Sequence, residues 1–156
     1  MADCCSPAPA QTTRPQCPSC SAPAPPVDVA TVKALLTSSA LARLIPSHFH
    51  FCAGPKCGVV YFSGDGQIFA TSDVRVTVWE KQPPGERTVC YCFGENEADM
   101  RREIERDGRT PAVERVRAHI AARRCACEVR NPRGACCLGD VMAAVKRLGA
   151  DLPPQR

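Results

Sequence analysis

The sequence predicts an α+β protein in two parts, a small antiparallel β-sheet with a helix followed by a helical half, each held together through cysteines. Three observations lead to that class. The cysteines fall in close pairs. Aromatic residues make up only 5% of the 156 residues. The hydrophobic period also changes from about two to about 3.6 across the break Gln82-Pro83-Pro84-Gly85. With 15 prolines as well, the apolar core must be small, and small domains of this kind depend on metals or disulfides.

The elements follow in order. Residues 1 to about 26 are rich in Pro, Ala, Ser and Thr and read as a tail interrupted by cysteines. Val32, Leu35, Leu36, Leu41 and Leu44 recur at roughly helical spacing, which predicts one short amphipathic helix over 29–44, stopped by Pro46. His48-Phe49-His50-Phe51 and Val59-Val60-Tyr61-Phe62 read as strands around the Cys52/Cys57 loop, with a turn at Ser63-Gly64-Asp65-Gly66. Val74, Val76 and Val78 alternate with polar residues and predict a further strand up to Trp79.

Beyond the break, Asn96 to Asp107 reads as a helix ending at Gly108. Thr110-Pro111 opens a second helix carrying Val113, Val116 and Ile120, and a last helix covers about Leu138 to Leu148, ending at Gly149. The expected division is a flexible Cys/Pro-rich tail over 1–16, an α+β subdomain over 17–82, a helical subdomain over 86–150 and a tail over 151–156.

The twelve cysteines carry the chemistry. The opening residues MADCCSPAPA lack the basic and apolar regions of a secretory signal, and no apolar run approaches the 18 or so residues that span a membrane. A cytoplasmic chain without membrane insertion keeps its thiols reduced, so paired cysteines there point to metal ions rather than disulfides. The pairs are Cys4-Cys5, Cys17/Cys20, Cys52/Cys57, Cys90/Cys92, Cys125/Cys127 and Cys136-Cys137. Neighbours this close are poorly placed to bridge each other and well placed to aim two thiolates at one ion. A net charge of only +4 and sparse aromatics argue against a nucleic-acid partner. No Gly-rich phosphate loop and no hydrolase or transferase constellation is present, so a redox-active metal-binding role is favoured over an enzyme.

Two constellations emerge. Cys17-Pro18-Ser19-Cys20 is a thiolate knuckle, and Cys52 and Cys57 lie in a turn between strands; the two pairs can close a tetrahedral Cys₄ shell suited to structural Zn²⁺. This makes residues 17–82 a zinc-binding α+β subdomain. His48 and His50 share a strand face beside it and read as packing or supporting groups. In the second half, the Cys90-Tyr91-Cys92 motif precedes a helix, and the cysteines of 125–137 begin 33 positions after Cys92. Four thiolates from two loops at the ends of a helical pair can enclose a [2Fe–2S] cluster, with helix N-termini at Gly94 and Cys137 aimed at it. Spacing leaves open whether Cys125 or Cys127, and Cys136 or Cys137, would serve.

This second pattern resembles the bacterioferritin-associated-ferredoxin-like (BFD-like) [2Fe–2S] module. The fuller series is Cys17-Pro18-x-Cys20, Phe51-Cys52-x₄-Cys57-x-Val59-Val60-Tyr61-Phe62, Val89-Cys90-Tyr91-Cys92 and Asn131-Pro132-x-Gly134-x-Cys136-Cys137. In order, it resembles the N-terminal domain of the CopZ-type copper chaperone family over about residues 17–148. The resemblance implies zinc on Cys17, Cys20, Cys52 and Cys57, and the cluster on Cys90, Cys92, Cys127 and Cys137. It also implies a metallochaperone-like role: one electron from the cluster to Cu(II), giving Cu(I) for a thiol acceptor such as a copper-transporting ATPase, with a separate redox partner protein. The copper-carrying MxCxxC domain of that family has no counterpart in these 156 residues.

Cys4, Cys5, Cys125 and Cys136 remain as thiols for a soft cargo ion, Cu(I) or Hg(II). From Arg123 onward seven basic residues face three acidic ones, a balance that would ease cluster reduction or dock an acidic redox partner. The alternative function is a BFD-like ferredoxin carrier that moves electrons without delivering copper.

Overall fold

The computed structural model describes residues 14–151, and the account below concerns these. The first half is a four-stranded antiparallel sheet in the order β1 (Pro26–Val27), β2 (Phe49–Phe51), β3 (Val59–Ser63) and β4 (Ile68–Ala70). Pro26 pairs with His50, Phe51 with Tyr61, and Tyr61 with Phe69, with a bulge between Val59 and Tyr61. All five residues of β3 are buried, because both faces of this strand are covered. Val60 and Tyr61 join Phe49, Phe51 and Phe69 in the main core, while Val59 and Phe62 pack with Ala24 and three cysteines.

The single helix expected over 29–44 is two: α1 (Val29–Leu35) and α2 (Ser38–Ala42). Leu36 leaves helical geometry with ψ 146°, and Thr37 caps α2 by accepting from Ala40 N. The Thr37-Ser38-Ser39 run supplies hydroxyls that compete with helical hydrogen bonds and favour a new start. Asp28 caps α1 in the same way, accepting from Ala30 N at 2.7 Å.

The strand expected over 74–79 is absent. Val74 and Val78 are buried and the residues between are not, so the alternation correctly marks an extended segment with one inward face. Its backbone, however, pairs with no strand of the sheet. Thr71–Asp73 is a 3₁₀ turn, Val74 bridges Leu36, and Arg75 N donates to Leu35 O at 2.8 Å. Trp79–Lys81 forms a second 3₁₀ turn.

The second half opens with a hairpin, β5 (Thr88–Cys90) and β6 (Glu95–Asn96). The helices are α3 (Glu97–Asp107), α4 (Ala112–Ala121), the single turn α5 (Cys127–Arg130) and α6 (Leu138–Ala150). Asn96 caps α3 by accepting from Asp99 N, and Gly108 closes it at φ 76°, as the sequence predicts. Gly149 does not stop α6, which continues to Ala150. Val89, Met100, Ile104, Ala112, Val116, Val141, Ala144 and Leu148 form the core here, together with Cys90, Cys127 and Cys137. Two buried carboxylates in this half are paired. Glu97 is fully buried, bonded to Arg147 and to Gly85 N; Glu95 receives a two-pronged contact from Arg115 at 2.7 and 2.8 Å.

Candidate metal centres

Residues 15–24, whose composition reads as tail, fold back around the knuckle expected at Cys17–Cys20. Ala24 N donates to Pro15 O, Cys17 N to Ala22 O, and Ser21 N to Cys17 O, with Ser21 at φ 60°. That turn sets Cys17 and Cys20 side by side. The partner loop is closed by Cys52 N donating to Val60 O and Cys57 N to Gly54 O. The four sulfurs lie within 4.8 Å of one another, with Cys17 to Cys57 at 3.9 Å and Cys20 to Cys52 at 3.6 Å. Tetrahedral zinc with Zn–S bonds of about 2.3 Å sets its sulfurs about 3.8 Å apart. Donor number, chemistry and spacing all fit a closed four-thiolate metal site.

Two neighbours that the sequence reading passed over shape this site. A side chain on Gly54 would come within 2.9 Å of Cys20 Sγ, 3.1 Å of Cys57 Cβ and 3.4 Å of Cys52 Sγ, so the turn has room for hydrogen only. Lys81 Nζ donates to Gly54 O and Cys57 O, both at 2.9 Å, placing a cation against the turn. Burial raises the Cys52 thiol to about 12, with Lys81 acting in the opposite sense. Burial also raises Cys57, but the Val59 N–H and the Ser19, Cys20 and Cys52 side chains bring it down to about 7. His48 is exposed, and His50 stacks on Phe62 with ring centroids 5.4 Å apart; neither belongs to the four-ligand group.

In the second half, Cys90 ends β5, Cys92 sits in the hairpin turn, Cys127 opens α5 and Cys137 caps α6. The fold brings these four together. Cys92 and Cys127 are 3.7 Å apart, Ala126 N donates to Cys92 Sγ at 3.3 Å, and Cys137 is near enough to Cys90 and Cys127 to shift their ionisation. The Cys137 contact, against burial, lowers Cys90 to about 6 with help from the Phe93 and Cys92 N–H groups, while Cys137 itself is pushed up by the same contact and by burial. Burial raises Cys127 to about 11. The two-thiol spacing suits a shared tetrahedral metal, and the set as a whole offers four thiolate donors at the core's edge.

The helix expected to start at Gly94 starts at Glu97, because the β5–β6 hairpin comes between. Cys136 is exposed; Cys125 is half-buried, and its thiol is raised first by burial and then by the nearby Cys92, Cys90 and Cys136. Cys4 and Cys5 lie outside the described residues.

The Cys127–Cys137 loop is tightly built. Asn131 is buried; its side chain donates to Ala135 O at 2.7 Å and accepts from Arg133 N at 3.1 Å. Gly134 takes φ 67°, and a side chain there would meet Thr31 Oγ1 at 2.9 Å. The loop is fastened to the first half by Thr31, which donates to Glu128 O, and by the buried Tyr61 hydroxyl, which donates to Pro132 O at 2.7 Å. The Asn-Pro-x-Gly-x-Cys-Cys spacing hinted at this turn, whereas nothing local in the sequence singled out Thr31 or Tyr61.

No described helix is long and apolar enough to cross a membrane. Comparison with known proteins gives two similarities. Residues 14–75 match the zf_CopZ family, described as a zinc binding domain. The X-ray structure of the Archaeoglobus fulgidus CopZ N-terminal domain is similar with a TM-score of 0.66 and 29% identity, covering 86% of this chain and 97% of that one. No curated protein matches.

Proposed function

We propose that this chain is a two-centre metalloprotein that handles copper or another thiophilic metal. Cys17, Cys20, Cys52 and Cys57 hold a structural Zn²⁺, and Cys90, Cys92, Cys127 and Cys137 hold a [2Fe–2S] cluster in a BFD-like helical module. The observation that carries this is the gathering of two separate four-thiol sets at loop ends, one with all sulfurs within 4.8 Å and one built around a 3.7 Å pair. The likeness to the Archaeoglobus fulgidus CopZ N-terminal domain supports the same reading over most of the chain.

A bound cluster of this type supplies one-electron redox chemistry. The chain's own residues bury three of the four thiols and leave Cys92 half-exposed beside Cys125 and the exposed Cys136. An incoming Cu(II) ion is the substrate: one electron reduces it to Cu(I), the form that thiolates retain, and the protein is re-reduced by an external one-electron donor protein. Cys125 and Cys136, with Cys4 and Cys5, are the thiols available to keep Cu(I), or Hg(II), for transfer to a thiol acceptor such as a metal-transporting ATPase.

The test is metal and sulfide analysis of anaerobically purified protein with its visible spectrum, followed by Cu(I) competition titration. About two iron, two sulfide and one zinc per chain are expected. Cys127→Ser loses the iron and Cys125→Ser keeps it. Colourless protein without sulfide overturns the cluster assignment. A protein that holds the cluster but binds Cu(I) no better than a small thiol is instead a ferredoxin-type electron carrier.

A further inference from the structure

Among the described residues, the 3₁₀ turn Trp79–Lys81 touches the three loops that carry metal-competent thiols outside the N-terminal knuckle. Lys81 Nζ donates to Gly54 O and Cys57 O in the Cys52/Cys57 turn, both at 2.9 Å. Trp79 N donates at 2.9 Å to the hydroxyl of Tyr91, the residue between Cys90 and Cys92; that hydroxyl donates in turn to Thr77 O at 2.7 Å. Glu80, with a side chain only 10% exposed, faces Arg133 at 3.8 Å in the Cys127–Cys137 loop, and Arg133 pairs with Asp140 in the first turn of α6. One residue of the turn thus serves each loop.

We propose that this turn mechanically couples the two centres, so that occupancy of the Cys17/Cys20/Cys52/Cys57 site sets the geometry and retention of the group held by Cys90, Cys92, Cys127 and Cys137. The inference rests on the two-centre reading above. Four thiolates around a divalent cation carry a net charge of −2, and Lys81 is a cation fastened against the turn that bears two of them. Filling the site holds Lys81 in place through its charge as well as through the two carbonyls. Emptying it leaves only the carbonyls, and the neighbouring Trp79–Tyr91 and Glu80–Arg133 contacts lose their fixed base. Groups that orient metal-bearing loops from outside are worth about ten- to a hundredfold in metal retention. Tyr61, on the strand that begins two residues after Cys57, supplies a parallel strut to Pro132.

The experiment compares anaerobic holoprotein, zinc-withdrawn protein, Lys81→Met and Tyr91→Phe. The readouts are the rate of iron loss to a ferrous chelator and the visible circular dichroism of the cluster. Lys81→Met keeps its zinc under these conditions, checked by metal analysis, so its effect is separable from loss of the ion. Expected are about tenfold faster iron loss and an altered visible dichroism in both zinc-withdrawn and Lys81→Met protein. Tyr91→Phe loses iron faster with zinc present and responds less to zinc withdrawal. Lys56→Met, an exposed lysine on the same loop, changes neither readout. Wild-type iron-loss rates and dichroism in both Lys81→Met and Tyr91→Phe overturn the coupling while leaving both centres in place. Protein that never holds iron removes the two-centre reading and this inference with it.

Discussion

Replacing Gly54 with alanine probes the first metal site without touching a ligand. The added Cβ would lie 2.9 Å from Cys20 Sγ and 3.1 Å from Cys57 Cβ. Ordinary contact begins near 3.4 Å, so Cys20 Sγ must retreat by about 0.5 Å (3.4 minus 2.9) or the turn must open by as much. Metal–ligand distances tolerate only about 0.2 Å. The retreat therefore falls outside what a closed tetrahedral shell accepts. A loss of about ten- to a hundredfold in zinc affinity follows, equivalent to about 1.4–2.7 kcal/mol. Competition with a chromophoric zinc chelator measures it. Gly58→Ala is the control, since a side chain there meets nothing within 4 Å and the backbone does not have a positive φ. A Gly54→Ala protein that binds zinc within about threefold of wild type would refute the steric argument, and with it the claim that these four sulfurs close on one ion.

Two further outcomes are expected. Gly134→Ala forces a side chain into φ 67° and against Thr31 Oγ1, destabilising by about 2 kcal/mol; in a double-mutant cycle with Thr31→Ala the two costs are less than additive, and strict additivity in chemical denaturation would show that the loop does not dock there. Burial raises the Glu80 carboxyl above its ordinary 4.5, with Asp140 adding to the rise and Arg133 and Lys81 opposing it. Glu80 therefore contributes stability that is complete below about pH 4.5 and lost as pH rises through its folded value. The melting temperature of Glu80→Gln relative to wild type accordingly climbs between pH 4.5 and neutrality, and a flat difference across that range contradicts the burial argument.

Much of the site was legible because cysteine pairing is a local matter. Two or more thiols within a few residues must point into one small region, whatever the rest of the chain does. The stop of α3 was legible for the same reason, since Gly108 acts on a backbone group four residues away. Alternation at Val74, Val76 and Val78 was misread as a strand because periodicity reports which side of an extended chain is buried, not what its amides bond to. The helix break at Leu36 and Thr37 was missed because five apolar positions were given more weight than the hydroxyls between them.

The contacts that hold the metal-competent loops in place are a different kind of information. Thr31 is 97 positions from Glu128, Tyr61 is 71 from Pro132, and Lys81 is 27 from Gly54. Thr31 and Lys81 belong to no spacing motif, Tyr61 reads in its motif only as a strand residue, and none of the three has a local partner that would betray its contact. The composition shift at 82–85 suggests two independent halves, yet the buried hydroxyl of Tyr61 reaches across it. A buried donor left without its acceptor costs about 1–3 kcal/mol. The sheet therefore cannot release the Cys127–Cys137 loop freely, and the geometry of the second thiol set is partly a property of the strand that follows the first.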